Sequence, residues 1–226
     1  MRSIKNDLEA RKHESENCVK SIVNIEGGSI RIEDPSINKT QLLTSMKASV
    51  LIMLYNAIES TITRCLSKVY ENIKQSNITY DELAPNIKRI ILVYYENAIL
   101  KCSDIHQKAS LKYDEIELIN GKVNFAFSFE EISKYYSMYS GNLDAKKIND
   151  IFKKIGIESE KQCSEAKTIK DNRNHLAHGE KTFEEVGREL STQQLRVYCD
   201  KVFSYLNEVI DEFSDYVDNQ KFKQHS

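Results

Sequence analysis

The sequence predicts an all-α fold, a helical bundle with one small β-hairpin inserted, and three observations carry that prediction. Seven Gly and two Pro (Pro35 and Pro85) among 226 residues leave few places to interrupt a helix. Apolar residues recur at spacings of three and four over long stretches, above all between Thr40 and Gln75. The exception is Asn120-Gly121, set between two alternating apolar runs, which is the strongest short hairpin signal. The length suits one large domain or two small ones. No internal repeat or low-complexity linker divides it, so residues 1–226 read as one domain with its core over 40–217.

Taken in order, residues 2–24 form a charged helix with a thin apolar stripe (Ile4, Leu8, Cys18, Ile22), stopped by Gly27-Gly28. A polar loop runs through Pro35. From about Thr40 to Gln75 the residues Leu42, Leu43, Met46, Val50, Leu51, Leu54, Ile58, Ile62, Leu66 and Val69 share a stripe, which makes this the central core helix. Thr79-x-x-Glu82 reads as a capping box opening the next helix, with Ile87, Ile90, Ile91, Val93, Tyr94 and Ile99 buried and Pro85 moving its start towards residue 84. Residues 116–128 alternate about Asn120-Gly121 and are expected to form the hairpin. Ser128-x-x-Glu131 restarts helix. Asn142-Leu143-Asp144 caps a helix to Lys154, stopped by Gly156. Ser159-x-x-Gln162 opens the next, with Gly179 as its C′ residue, and Ser191-x-x-Gln194 opens the last. That helix turns Leu195, Val202, Phe203, Leu206, Val209, Ile210, Phe213 and Val217 inward, and Lys221 to Ser226 are expected to fray.

Composition bounds the function. With 40% hydrophobic and 29% charged residues the chain reads as soluble and globular, and its formal net charge of −2 gives no global basic field for nonspecific nucleic-acid binding. The distribution is uneven. Lys146 to Arg173 holds eight basic and five acidic residues, whereas Glu180 to Asp218 holds four basic and ten acidic. These are either two solvated helix faces or a local field at their junction. Five Cys (Cys18, Cys65, Cys102, Cys163, Cys199) are scattered, odd in number and never in C-x-x-C pairs, which argues for a reducing compartment and small buried thiols. A polar N-terminus and the absence of a long apolar run predict no signal peptide, no membrane span and a cytoplasmic location.

At the junction lies Arg173-Asn174-His175-Leu176-Ala177-His178-Gly179. Arg can clamp a phosphate with two parallel hydrogen bonds, and His can move a proton near neutral pH. RNA cleavage by its own 2′-hydroxyl needs a base, charge stabilisation at phosphorus and an acid for the leaving oxygen. His178 can serve as base or acid and Arg173 can stabilise the charge. Taken alone, the same two side chains are ordinary partners for a helix C-terminus.

The spacing Arg173-Asn174-x-x-x-His178 resembles the signature of the HEPN superfamily of all-α ribonucleases and nucleotide-binding domains. The run from Arg173 to Arg188 resembles the motif and loop of the MAE-type branch of HEPN-like nucleases. Leu54-Tyr55-Asn56-Ala57-Ile58-Glu59-Ser60-Thr61 is similar to that branch's first core helix, and Gly141 to Ile148, ending at Gly156, to its segment before the motif. The resemblance covers about residues 40 to 210. It implies a metal-independent endoribonuclease, without a cofactor, whose Arg173 and His178 meet their copies across a homodimer cleft. It also implies a toxin or abortive-infection role in bacterial defence, with RNA as substrate and an antitoxin or other defence partner. The alternative is a catalytically silent HEPN dimerisation or nucleotide-binding module of such a system.

Other candidates are less determined. Asn174 either orients His178 or a phosphate oxygen, or caps backbone carbonyls. His175 and His178 form a His-x-x-His pair with no carboxylate in register, so no metal is expected. Asn56 and Glu59 interrupt the central helix on or near its buried face. Glu59 either pairs with Arg173 or is satisfied by backbone or another cation. Lys146, Lys147, Lys153, Lys154 and Lys170 are candidates to guide a phosphate backbone, and Arg188 either touches substrate or forms a surface ion pair. The tyrosines, Tyr94-Tyr95 and Tyr135-Tyr136 among them, suit core packing better than base stacking.

Overall fold

The computed structural model describes residues 1–139 and 141–224, and among these it is helical with no β-strand. Three long helices dominate. α1 (Arg2–Glu26) and α9 (Thr192–Asp218) flank α2 (Lys39–Gln75), which runs through the core with Leu51, Leu54, Tyr55, Ile58, Ile62, Leu66 and Val69 fully buried. Asn38 caps α2 by accepting from the Thr40 and Gln41 N–H groups, and Ser191 with Gln194 forms a reciprocal capping box at α9. The apolar stripes foreseen for these helices are the ones buried, except that Cys18, Leu42, Leu43, Met46 and Val217 are only half-buried.

The remaining elements are shorter. α3 (Pro85–Lys101) starts with Pro85 at its first helical position, where a missing N–H costs nothing. The Thr79–Glu82 capping box closes a single 3-10 turn, Tyr80–Glu82, rather than α3 itself. α5 (Phe129–Ser133) is one capped turn, and α6 (Ala145–Ile155) ends at Gly156, whose φ of +92° needs a residue without a side chain. α7 (Ser164–Ala177) and α8 (Phe183–Arg188) follow.

The expected hairpin at 116–128 is absent. Ile105–Ile119 is instead α4, capped by Asp104, and Ile116, Leu118 and Ile119 are its last turn. Asn120 is the C-cap and Gly121 takes φ +69°. The Gly121 N–H donates to the Leu118 carbonyl and the Lys122 N–H to that of Glu117, each at 3.0 Å, which is a Schellman motif. A type I′ turn and a Schellman stop both require a positive φ at Gly, so the same dipeptide serves either. The alternating Val123–Phe127 run buries Phe125 and half-buries Phe127 in an aromatic cluster with Tyr70, Tyr94, Tyr95 and Phe129, at ring separations of 5.1 to 6.2 Å. One hydrogen bond, from the Phe125 N–H to the Ile78 carbonyl at 3.0 Å, ties it down.

Two further expectations are corrected. Ser159-x-x-Gln162 does not open α7, because its groups are engaged elsewhere. Ser159 donates to Glu212 at 2.9 Å, and buried Asn149 brackets Lys161, accepting from its N–H at 3.0 Å and donating to its carbonyl at 2.9 Å. Helix begins only at Ser164. The tail is held as far as Gln224. Phe222 is buried against Tyr216, the Ala84 N–H donates to its carbonyl at 2.8 Å, and Gln224 donates to the Glu82 carbonyl at 2.8 Å. His225 and Ser226 lie outside the described residues.

All five cysteines are free thiols, and burial pushes those of Cys65 and Cys199 up to about 12, which keeps them unreactive. No described helix is long and apolar enough to cross a membrane.

Candidate functional site

The motif helix α7 packs against α2, α6, α8 and α9. Arg173 lies half-buried with its guanidinium over the ring of Tyr55, 4.4 Å from the ring centroid. Tyr55 is fully buried in the middle of α2, and its hydroxyl accepts from the Leu143 N–H at 3.3 Å, just before α6. A cation stacked on a desolvated aromatic face is held in place and keeps its donor edges free. Arg173 donates one bond, to the Asn174 side chain at 3.1 Å, and forms no ion pair with a described carboxylate. Asn174 thus steadies Arg173, while its own carbonyl accepts from the His178 N–H at 2.9 Å.

His178 is the exposed C-cap of α7, and no described side chain engages its ring. The turn that presents it is a second Schellman motif. Gly179 has φ +70°, its N–H donates to the Leu176 carbonyl at 3.3 Å, and the Glu180 N–H donates to that of His175 at 2.9 Å. His175 is drawn away from His178 by Glu180, 2.6 Å from its Nδ1. Among the described residues no three His, Cys, Asp or Glu side chains gather in a group able to hold a metal ion.

The other candidates divide into committed and free. Lys170 is clasped to Asp144, the N-cap of α6, at 2.6 Å. Arg188 pairs with Glu184 one turn back on α8, and Lys153 pairs with Glu160 at 3.1 Å. Lys154 donates to the Met138 carbonyl at 2.7 Å and lies over Tyr136; burial lowers its pKa. Lys146 and Lys147 stand exposed on the first turn of α6 with no described acidic partner. Lys147 also lines a cavity of about 470 Å³ with Tyr139, Asp150 and Lys154. Asn56 is exposed, not on the buried face of α2, because the helix turns Tyr55 and Ala57 inward on either side of it. Glu59 is half-buried near Tyr139 and makes no ion pair with Arg173.

Residue types alone did not single out Tyr55 as the support of Arg173. Its signal is faint, since an aromatic in an apolar stripe reads as core.

The Asp144–Lys170 clasp ties α6 to the motif helix. Burial pushes the Asp144 carboxyl up, but hydrogen bonds from Lys170 and the Lys147 N–H outweigh it and hold the group below its ordinary value. Lys170 is raised, chiefly by its bond to Asp144. The carboxylate's contribution is therefore complete above about pH 4 and is lost as pH falls through the lower folded value. The ammonium's is complete below about pH 10 and is lost as pH rises through the higher folded value. Asp144→Ala removes both the cap and the pair. Urea unfolding at pH 7 is expected to show a loss of about 1–3 kcal/mol, shrinking at acid pH. An unchanged midpoint would mean that the clasp is cosmetic.

A family model described as MAE_28990-like HEPN matches residues 2–222. No curated protein and no solved structure matches the chain.

Proposed function

The chain belongs to the MAE_28990-like HEPN family, and from that membership we propose that it is a metal-independent endoribonuclease, a toxin or abortive-infection effector of bacterial defence. Membership itself points to a nuclease or a related function. The observation that carries the finer reading is the pair at the end of α7. Arg173 is stacked on buried Tyr55 with its charge not matched by a described carboxylate, and His178 stands exposed one turn on.

The chemistry follows from those groups. One His178 takes the proton of a 2′-hydroxyl as that oxygen attacks phosphorus. Arg173 donates to the non-bridging oxygens as charge builds there. The bond from phosphorus to the 5′-oxygen breaks, and that oxygen takes a proton from a second imidazole. The products are a 2′,3′-cyclic phosphate and a 5′-hydroxyl. A two-fold dimer pairing the ends of two α7 helices supplies both imidazoles and both guanidinium groups from identical chains. Lys146 and Lys147 guide the strand towards the cleft. Asn174 holds Arg173 in register.

The test uses wild-type protein with mixed RNA, and separately with DNA of the same sequence, both in EDTA. RNA cleaved to 2′,3′-cyclic phosphate ends with the DNA intact is the expected result, because DNA lacks the attacking hydroxyl. A second reading is a silent HEPN binding module of a defence or toxin–antitoxin complex. The commitment of Lys170, Lys153 and Arg188 to acidic partners favours it, since that leaves few free cations for RNA. Uncut RNA that still comigrates with the protein would select this reading.

A further inference from the structure

One face of α6 sets like charges together. Lys147, Asp150 and Lys154 recur at helical spacing, on the side away from buried Ile148, Phe152 and Ile155. With Met138 and Tyr139 they wall the cavity of about 470 Å³, a size that holds small ligands in other proteins. Lys153 lines it as well but is paired with Glu160. That leaves two ammonium groups facing one carboxylate.

Neither ammonium forms an ion pair with a described carboxylate, Asp150 included. Lys154 directs its donors to the Met138 and Ser137 carbonyls, at 2.7 and 3.4 Å, with the ring of Tyr136 beneath it. Burial lowers its pKa, Asp150 works against that, and the charge of Lys147 adds to it. Two like charges in a partly dry cavity repel, and an anion seated between them turns the repulsion into attraction.

The position of the cavity says which anion. Both of its walls lead back to Arg173. Lys147 follows Asp144 by one turn, and Asp144 clasps Lys170, one turn before Arg173 on α7. Tyr139 is hydrogen-bonded at 2.5 Å to Thr63, eight residues and about 12 Å along α2 from Tyr55, on which Arg173 lies. A strand whose phosphate is clamped by Arg173 therefore has further phosphates within reach of the cavity.

We propose that this cavity is a phosphate subsite for the RNA strand, in which Lys147 and Lys154 seat a phosphate group a few nucleotides from the one held by Arg173. It rests on the reading of RNA as the ligand of the cleft. It gives Lys147 a defined seat for the backbone, and it gives Lys154 a binding role although its donors already meet carbonyls. Asp150 opposes the phosphate and weakens the hold.

The probe is a 2′-O-methyl RNA oligonucleotide, which lacks the attacking hydroxyl and binds without being cut. Its affinity for the full chain is read by fluorescence anisotropy over a range of salt. Lys147→Gln and Lys154→Met are each expected to weaken binding about threefold to tenfold. Each should also reduce the slope of log affinity against log salt by about 0.7, the value of one phosphate contact on a single strand. Lys112→Gln removes the same charge on α4 and is expected to change neither. Asp150→Asn is expected to tighten binding about threefold, a gain that a misfolded variant cannot produce. Wild-type affinity and slope in both lysine variants, or no gain in Asp150→Asn, would overturn the proposal. AMP as competitor separates a strand from a free nucleotide. Displacement only at millimolar AMP is expected, whereas displacement at micromolar AMP would make the cavity a free-nucleotide site and sink the strand assignment. Binding is read without cleavage, so a wild type that shows these losses but cuts no RNA overturns the nuclease reading and leaves the subsite standing.

Discussion

His178→Ala protein is expected to cleave RNA in EDTA about 10²–10⁴-fold more slowly than wild type, the range that a positioned acid or base supplies. The imidazole is exposed and buries nothing, so the variant should keep wild-type stability, and a loss of rate cannot be assigned to misfolding. Arg173→Ala is expected to lose about 10²–10³-fold by removing charge stabilisation at phosphorus. It also uncovers Tyr55 and should cost some stability, which makes Arg173→Lys the informative companion. Lysine keeps the charge but cannot stack flat on the ring or form the two-pronged bond, so it should recover little of the rate. Mixing the Arg173→Ala and His178→Ala chains tests the composite cleft. The mixed dimer regains one Arg and one of the two imidazoles in a shared cleft, so activity should exceed that of either variant alone but stay below wild type. No gain on mixing would mean that both imidazoles are required or that the chemistry lies within one protomer. Equal rates for wild type and His178→Ala would remove His178 from the mechanism.

Gly187→Ala is the substitution expected to damage the fold most. By intrinsic propensity the change should stabilise helix α8 by up to about 1 kcal/mol. Packing decides otherwise. A Cβ on Gly187 would lie 1.9 Å from the Thr44 carbonyl oxygen and 2.5 Å from its carbon, and these are backbone atoms that cannot swing aside. The contact is where α8 crosses the first turns of α2, so relief requires moving one helix off the other. The net cost is expected to be about 3 kcal/mol or more, seen as a fall in Tm of roughly 10 °C in thermal unfolding. A variant melting at or above wild type would show that propensity wins and that the crossing has slack. Since α8 follows the turn that presents His178, the same variant should lose RNA cleavage out of proportion to its folded fraction.

What could be read from residues alone, and what could not, follows from how far each interaction reaches along the chain. α1, α2, α6 and α9 are amphipathic runs, the last three with local side-chain caps, and each was legible in its own window. α4 was not, since its Asn-Gly stop speaks equally for a turn between strands. The start of α7 was hidden because Ser159 and Lys161 find partners in Glu212 and Asn149, far away in sequence. The tail was misread for the same reason, since Phe222 is anchored by Ala84. In the candidate site, the Arg173–His178 spacing and the stop at Gly179 were legible because they lie within two turns. The partner of Lys170 lies 26 residues upstream, and no pattern in the sequence announces that Asp144 will take its charge. Tyr55 is the sharpest case. Nothing distinguishes it from its apolar neighbours until Arg173 is found lying on it.

α9 bears on when the site comes into being. It is the last of the described helices to leave the ribosome, and it packs on α1, α2 and α7. Arg173 and His178 are therefore synthesised before α9 can pack on their helix, whereas α1 meets α2 early and α9 only later. At roughly 5–20 residues per second the interval between α7 and the end of α9 lasts a few seconds. For the nuclease proposed above, this order delays arming: the nascent chain carries the motif before α9 is there to pack on it, and only a chain extended through α9 can cut.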